Sequence, residues 1–303
     1  MRAVVAHETG DPDVLRLEEV PDPEPGDGEV LIRIHAASVN PIEWKQRRGL
    51  AQRQLPAILG SDISGVVERT RTPAFAEGAE VFGFAASGAY AELATSSAAA
   101  IAAKPANISD EQAASIPVAG MTAWQALFDK GDLQRGQTVV IAGAAGGVGH
   151  FAVQLAQNAG AHTIALGSPR NRDFIVSLGA SDYVDYTSED VAEVVKGADV
   201  AFDTVGGATT MTMLATLRDG GTLVSIAGSP PDTEAAAQAR GVRYEHMVMK
   251  PDPAHLVALG ALVAGGEIRV EIAERLPLEE IQRAHELSES GHTRGKIVLE
   301  IAA

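Results

Sequence analysis

The run Thr138-Val139-Val140-Ile141-Ala142, the glycine-rich stretch Gly143-Ala144-Ala145-Gly146-Gly147-Val148-Gly149 and the segment Phe151-Ala152-Val153-Gln154-Leu155-Ala156 constrain the fold more than any other part of the chain. A β-branched run free of charge reads as a strand buried on both faces. Val148, Phe151, Ala152 and Leu155 recur at helical spacing, so a helix follows. Glycines at such a junction permit a tight turn, let the backbone approach a pyrophosphate and aim the helix N-terminal N–H groups at it. The segment therefore predicts a dinucleotide site in which Gly146, Gly147 and Val148 cradle the pyrophosphate. Against the usual G-x-G-x-x-G it reads A-x-G-x-x-G, with Ala144 in the first glycine place.

The end of the next strand predicts which dinucleotide binds. An NAD site carries Asp or Glu about 20 residues beyond the first glycine, to hold the ribose 2′-hydroxyl. Here Ala161-His162-Thr163-Ile164-Ala165-Leu166 runs into Gly167-Ser168-Pro169-Arg170-Asn171-Arg172, and no carboxylate appears before Asp173. A hydroxyl and two guanidinium groups stand where a 2′-phosphate needs donors. Cations in a helix's first turn oppose the helix dipole, and a bound anion would account for them. The expected cofactor is NADPH, its 2′-phosphate held by Ser168 and Arg170.

A chain of 303 residues is longer than most single domains, so two domains are expected. Its formal net charge of −16 argues against a nucleic-acid groove or an anionic membrane surface as the main partner. No apolar run is long enough to span a bilayer, and Met1-Arg2-Ala3-Val4-Val5-Ala6 reads as a strand rather than a secretory signal, which predicts a cytoplasmic protein. The absence of cysteine excludes disulfides and thiolate metal sites.

Residues 1–112 have the texture of a β-barrel, short strands broken by turn chemistry such as Pro21-Asp22-Pro23-Glu24-Pro25-Gly26-Asp27-Gly28 before the alternating Glu29 to Ala36. Residues 113–265 alternate strands with helices: the glycine-turn strand, 161–166, Tyr183 to Tyr186, Asp199 to Asp203 and Thr222 to Ile226. That alternation implies right-handed crossovers and a doubly wound parallel sheet, an α/β Rossmann domain. Residues 266–303 turn β-rich again at Ile268 to Ile272 and Gly295 to Ile301, and are expected to rejoin the first domain.

The chain resembles the medium-chain dehydrogenase/reductase superfamily, in the zinc-independent quinone oxidoreductase group that includes the zeta-crystallins. Ser38-Val39-Asn40-Pro41, Leu59 to Val67, Gly88 to Glu92, Ala119 to Trp124, the glycine turn, Phe202 to Gly207 and Arg294 to Val298 carry the resemblance over essentially the whole length. It implies a GroES-like β-barrel domain (1–112 and 266–303) beside the Rossmann domain (113–265). Zinc-dependent relatives place a cysteine at Asn40 and a His-Glu pair at Ser61-Asp62, so good zinc ligands are missing here. The histidines have no close ligand spacing and read mainly as surface or capping residues.

Without zinc to polarise an alkoxide, hydride transfer needs an acceptor activated by its own conjugation, a quinone or an α,β-unsaturated carbonyl. A different class of reading is an NADPH-binding sensor or structural protein with little turnover. The stretch Asn40-Pro41-Ile42-Glu43-Trp44-Lys45 matches the family segment that faces the nicotinamide. Asn40 is a candidate donor to the cofactor ribose or a substrate carbonyl; the alternative is a loop asparagine bonded to its own backbone. Lys45 is a candidate donor to oxyanion charge, or else half of an exposed salt bridge to Glu43. Trp44 reads as a packed lid. The resemblance further implies that Tyr186 lies near the 2′-phosphate, that Thr122 starts the helix beside the nicotinamide phosphate, and that Val205 and Ser225-Ile226-Ala227-Gly228 meet the cofactor at strand ends. It also implies that Arg294 and Lys296 reach back to the cofactor from the closing strand or serve structure alone. Gly241 to Met249 reads as the last strand of the Rossmann sheet, an apolar edge that relatives pair across a two-fold axis, which predicts a homodimer.

Overall fold

The structure is a computed structural model that describes residues 1–301. The chain begins with strands β1 (Arg2–Ala6), β2 (Leu15–Glu19) and β3 (Glu29–Val39), helix α1 (Pro41–Arg47), then β4 (Ala57–Ile58), β5 (Asp62–Thr70), β6 (Glu80–Phe84), β7 (Leu93–Ser97) and β8 (Ile101–Ala103). Helices α2 (Asp110–Ala114) and α3 (Pro117–Trp124) follow, the latter continued by a π-helical turn, Gln125–Lys130. Next come β9 (Thr138–Ala142), α4 (Gly149–Asn158), β10 (His162–Gly167), α5 (Arg172–Ser177), β11 (Asp182–Asp185), α6 (Val191–Val194), β12 (Ala198–Asp203), α7 (Ala208–Thr216), β13 (Leu217–Ser225), α8 (Thr233–Ala239) and β14 (Arg243–His246). The chain closes with α9 (Pro253–Ala264), β15 (Ile272–Pro277), α10 (Ile281–Glu289) and β16 (Lys296–Glu300).

These elements form two compact units. One comprises Met1–Met121, Pro251–Gly266 and the chain from Val270 onward; the other comprises Thr122–Lys250 with Glu267–Arg269. Sequence texture put the divisions at 112/113 and 265/266 instead. The difference has visible causes in the first unit. Asp110, opening α2, accepts hydrogen bonds from Ser64 Oγ (2.6 Å), and the Val118 N–H of α3 donates to Asp62 Oδ1 (3.0 Å). Helix α9 packs Leu259 against Gly120 of α3, and its Gly260 lies against Phe82 of β6.

In this first, β-rich unit a seven-stranded sheet runs β15-β16-β3-β5-β6-β8, with β7 also paired to β3, and a three-stranded sheet runs β2-β1-β4. The sheets bury a core of Val4, Ile32, Ile34, Leu59, Ile63, Val81 and Leu299, among others. The closing strand β16 lies antiparallel to β3, Ile297 opposite Val39 and Leu299 opposite Ala37. The sequence placed a strand at Ile268 to Ile272, but it begins only at Ile272. Upstream of it the Gln154 side-chain amide takes both backbone groups of Arg269, accepting its N–H (2.8 Å) and donating to its carbonyl (3.0 Å), where a sheet partner would be.

In the second unit six parallel strands run β11-β10-β9-β12-β13-β14. The order reverses between β9 and β12, which leaves a crevice at the carboxyl ends of these two strands; ligands of doubly wound sheets bind there. The apolar run 138–142 is β9 as predicted, with Val139 to Ala142 buried. The last strand is shorter than the apolar segment suggested, Arg243–His246, and forms the sheet edge.

Candidate cofactor site

The glycine turn joins the end of β9 to α4. Gly143 takes the left-handed conformation (φ 70°), and a Cβ there would fall on Thr204 Oγ1, which donates to the Ala142 carbonyl (2.8 Å). Gly143 thus supplies the tight turn that the motif assigns to the next position, and Ala144 turns its methyl into the core. Gly149 serves close packing: a Cβ there would fall on the Gly143 carbonyl oxygen and lie 2.8 Å from Ala144 Cα. Around Gly146 a Cβ would meet only the Gly143 oxygen, at 3.3 Å, so there is open space beside this backbone. Gly146, Gly147 and Val148 are half-buried, and α4 begins immediately after them. In its first turn the His150 and Ala152 N–H groups donate to the Gly146 and Val148 carbonyls (both 3.0 Å), so the fit to a pyrophosphate rests on the open backbone at Gly146 and on the helix dipole behind it. His150 is buried rather than superficial, with Nδ1 3.0 Å from the Gly146 carbonyl oxygen.

At the end of β10, Ser168 enters a single turn closed by Asn171 N–H donating to the Ser168 carbonyl (2.9 Å). Arg170 is exposed in that turn. The Arg172 guanidinium lies 5.8 Å from the ring centroid of Tyr183, whose hydroxyl donates to the Gly167 carbonyl (2.9 Å). Tyr183 therefore fixes both the strand end and an arginine. In the sequence Tyr183 reads only as a strand residue; it is the second residue of β11, level with Ala165. Tyr186 lies beyond that strand and is 56 % exposed. Asp182, level with Ile164 further from the strand end, pairs with His162 Nε2 (2.6 Å); Asp185, level with Gly167, is engaged by the Thr187 and Ser188 hydroxyls. Those hydrogen bonds hold the Asp185 carboxyl below the usual carboxylate range.

Asp203, Ala142 and Ser225 stand level in the registers of β12 with β9 and with β13. The buried Asp203 accepts from the Val205 and Gly206 N–H groups (both 2.9 Å) and from Thr210 Oγ1 (2.6 Å). That rigid turn holds Val205 out to solvent, 56 % exposed. Gly207 N–H donates to the Gly228 carbonyl (2.7 Å), tying the second loop to the first. In that second loop Ile226 and Ala227 are half-buried and Gly228 is exposed, but Ser225 is wholly buried. Thr122 sits in the last turn of α3, not at a helix start, because the helix begins at Pro117.

The remaining candidates lie in the β-rich unit. Arg294 is exposed. Lys296 is 3 % exposed, and its ammonium donates to Asn40 Oδ1 and lies 3.8 Å from Asp62 Oδ2. Asn40 Nδ2 donates to Asp62 Oδ2 (2.9 Å), so this amide is engaged with side chains rather than with its own backbone. Glu43 is buried and accepts the Asn40 N–H (2.6 Å), which rules out the exposed pair with Lys45. Burial, reinforced by Asp62, raises the Glu43 pKa to about 7. Lys45 is half-buried, its ammonium 5.7 Å from the Trp44 ring centroid. Asp62 also accepts from Ser38 Oγ (2.8 Å) and the Val118 N–H. With hydrogen-bonded Asn40 and Asp62 and a buried ammonium in this place, and no cysteine in the chain, the donor set does not fit a zinc ion. Among the described residues no helix is long and apolar enough to cross a membrane.

A parallel sheet of this strand order, with a glycine turn at its switch point, defines a dinucleotide-binding protein. Residues 26–106 match the family description "Alcohol dehydrogenase GroES-like domain", and residues 178–299 match "Zinc-binding dehydrogenase". The human quinone oxidoreductase is 31 % identical over 99 % of this chain and 97 % of its own. The structure of the quinone oxidoreductase from Coxiella burnetii superposes with a TM-score of 0.94 at 35 % identity, covering 100 % of this chain and 99 % of the other. The Escherichia coli quinone oxidoreductase, solved with NADPH, gives 0.92 at 28 % identity, with 99 % and 100 % covered. The chain belongs to the medium-chain dehydrogenase/reductase superfamily, in its zinc-independent quinone oxidoreductase group, and is an NAD(P)H-dependent oxidoreductase.

Proposed function

We propose that the protein is an NADPH-dependent reductase that works without zinc and transfers hydride to a quinone or to the β-carbon of an α,β-unsaturated carbonyl. The observation that carries this reading is the tip of β10, where Ser168 and the exposed Arg170 follow the strand and Asp185, the carboxylate level with Gly167, is bonded to the Thr187 and Ser188 hydroxyls. Gly146, Gly147 and Val148 would hold the pyrophosphate, Ser168 and Arg170 the 2′-phosphate, and Val205 with Ile226 to Gly228 would border the cofactor at the strand ends. Bound NADPH would supply the hydride. Lys45 is the candidate donor to charge developing on the acceptor oxygen. An acceptor whose conjugation spreads that charge suits a site whose donors do not fit a Lewis-acidic metal.

The test is a panel of quinones, alkenals and cyclic enones with NADPH or NADH, followed at the absorbance of the reduced cofactor. The expected result is consumption of NADPH with at least one quinone or enone and weaker use of NADH. Tight NADPH binding without consumption by any acceptor would replace the enzyme reading with a sensor or structural one.

A homodimer belongs to the same proposal. It is supported by β14, the edge strand of its sheet, and by Val248 just beyond it, 80 % exposed. Sedimentation velocity at micromolar concentration is expected to give twice the chain mass; a monomer would refute the pairing.

A further inference from the structure

The β-rich unit buries an ionic cluster drawn from four places in its chain. Asn40 follows β3, Glu43 lies on α1, Asp62 opens β5 and Lys296 opens β16. Each is at most 3 % exposed. Replacing a buried ion pair with well-packed apolar side chains is often neutral or stabilising, so stability alone does not account for the arrangement.

Its geometry fixes the Asn40 amide. The oxygen faces the Lys296 ammonium and the nitrogen donates to Asp62 Oδ2 at 2.9 Å. A flipped amide would set its NH2 against an ammonium and its oxygen against a carboxylate. Asp62 is in turn held by Ser38 Oγ at 2.8 Å and by the Val118 N–H at 3.0 Å. The Asn40 backbone N–H donates to Glu43 Oε2 at 2.6 Å, and Asn40 is the N-cap of α1. The next residues of that helix are Trp44 and Lys45. At its other end Arg47 is buried, with Nη2 2.5 Å from Glu289 Oε2 of α10.

We propose that Lys296 is a positioning residue: with Asp62 it clamps Asn40 and thereby sets the start of α1, the helix that presents Trp44 and Lys45, and it does not contact the dinucleotide. This rests on the reading of the Asn40 to Lys45 stretch as the segment facing the acceptor. Lys296 acts as an internal cation gathering Asn40 and Asp62, and the helix start it fixes has no freedom to follow solvent. The elements that hold the dinucleotide phosphates belong to the other unit, so the two roles separate in experiment.

The test uses the full-length protein and Lys296→Met, which keeps the chain length and removes the charge. NADPH affinity, measured by fluorescence titration without acceptor, is expected to stay within about two-fold, and kcat/KM for a quinone or enone acceptor to fall at least about ten-fold, as for a misplaced reacting group. A ten-fold or greater loss of NADPH affinity would overturn the proposal in favour of direct cofactor contact, and an unchanged kcat/KM would overturn it as well. Because the variant leaves Asp62 and Glu43 without their ammonium and can fail to fold, a second measurement uses the wild type without cofactor. Its Asn40 side-chain amide protons are expected to exchange with solvent at least about 100-fold more slowly than those of free asparagine, as for groups opened only by unfolding. Exchange at the free rate would overturn the clamp. Absence of turnover in the wild type would defeat the proposed function, while the exchange measurement would still test the clamp on Asn40.

Discussion

Replacing Arg47 with methionine is expected to lower the unfolding free energy by about 3 kcal/mol, read by urea denaturation at neutral pH. Arg47 is wholly buried on α1, where it joins three segments of the β-rich unit. Nη1 donates to the Gly10 carbonyl (2.7 Å), Nε to His285 Nδ1 (3.3 Å) and Nη2 to Glu289 (2.5 Å). Breaking a buried pair from one side costs about 3–5 kcal/mol when the remaining charge is left uncompensated. Glu289 is not left so, because Arg48 Nε donates to its other oxygen at 2.6 Å. The cost therefore comes mainly from the buried His285, at about 1–3 kcal/mol for a buried group left without a partner, with a smaller share from the half-buried Gly10 carbonyl. A loss below about 1 kcal/mol would show that solvent or the neighbouring Arg48 replaces the clamp.

The same substitution has a pH signature. Burial, and then the charge of Arg47, hold the His285 pKa down at about 3 against an ordinary value of 6.5. The folded state thus keeps His285 neutral where the unfolded chain takes up a proton. Stability from this group is intact above pH 6.5 and declines as pH falls from there towards 3. Without the Arg47 charge His285 protonates more readily in the folded state. The gap in stability between wild type and Arg47→Met is expected to narrow on acidification.

Ser168→Asp combined with Arg170→Ser is expected to invert cofactor preference. In the wild type, hydroxyl and guanidinium donors to a 2′-phosphate, at about 1.5–3 kcal/mol each for bonds to a charged group, would favour NADPH by several orders of magnitude in a dry site. Arg170 is exposed, so solvent and salt screen the contact, and a preference of about 100-fold is the expected scale. In the double variant a carboxylate accepts from the ribose 2′-hydroxyl and repels the phosphate, which favours NADH. Arg172 is left in place because it is engaged with the Tyr183 ring. Fluorescence titration with both cofactors at fixed ionic strength, without acceptor, measures the effect. Equal wild-type affinity for NADH and NADPH, or persistent NADPH preference in the variant, would remove Ser168 and Arg170 from the cofactor site.

What was legible in the chain was what neighbouring residues decide. Strand β9 and the glycine turn follow from an uncharged β-branched run meeting residues without side chains, and the departure at Ala144 proved harmless because Gly143 makes the turn. The parallel sheet followed from alternation of elements. Positions decided by distant partners were not legible. Glu43 reads as half of an exposed pair with Lys45, and Lys296 as reaching back to the cofactor or serving structure alone, because nothing within several residues of either announces that they will be buried with Asp62. Ile268 to Ile272 has the two-residue period of a strand, yet the Gln154 side chain from far upstream takes the backbone at Arg269. The sequence places the apolar helix α9 in the Rossmann unit with its neighbours in the chain, whereas its packing against Phe82 and the helix around Gly120 groups it with the β-rich unit.

The route of the chain gives the Lys296 cluster a consequence for biosynthesis. Lys296 is separated from Asn40 by 256 positions, and the whole second unit is threaded between them. As the polypeptide leaves the ribosome, Asn40, Glu43 and Asp62 emerge early and wait for a cation that arrives with the final strand. Until then the β-rich unit would have to seal in carboxylates without a counter-charge, an unfavourable state that holds it open. The inserted sheet, whose strands follow one another in the chain, has no such dependence. Closure of the first unit is thus expected to wait for β16 to dock on β3, and a chain truncated before Lys296 is expected to leave that unit open.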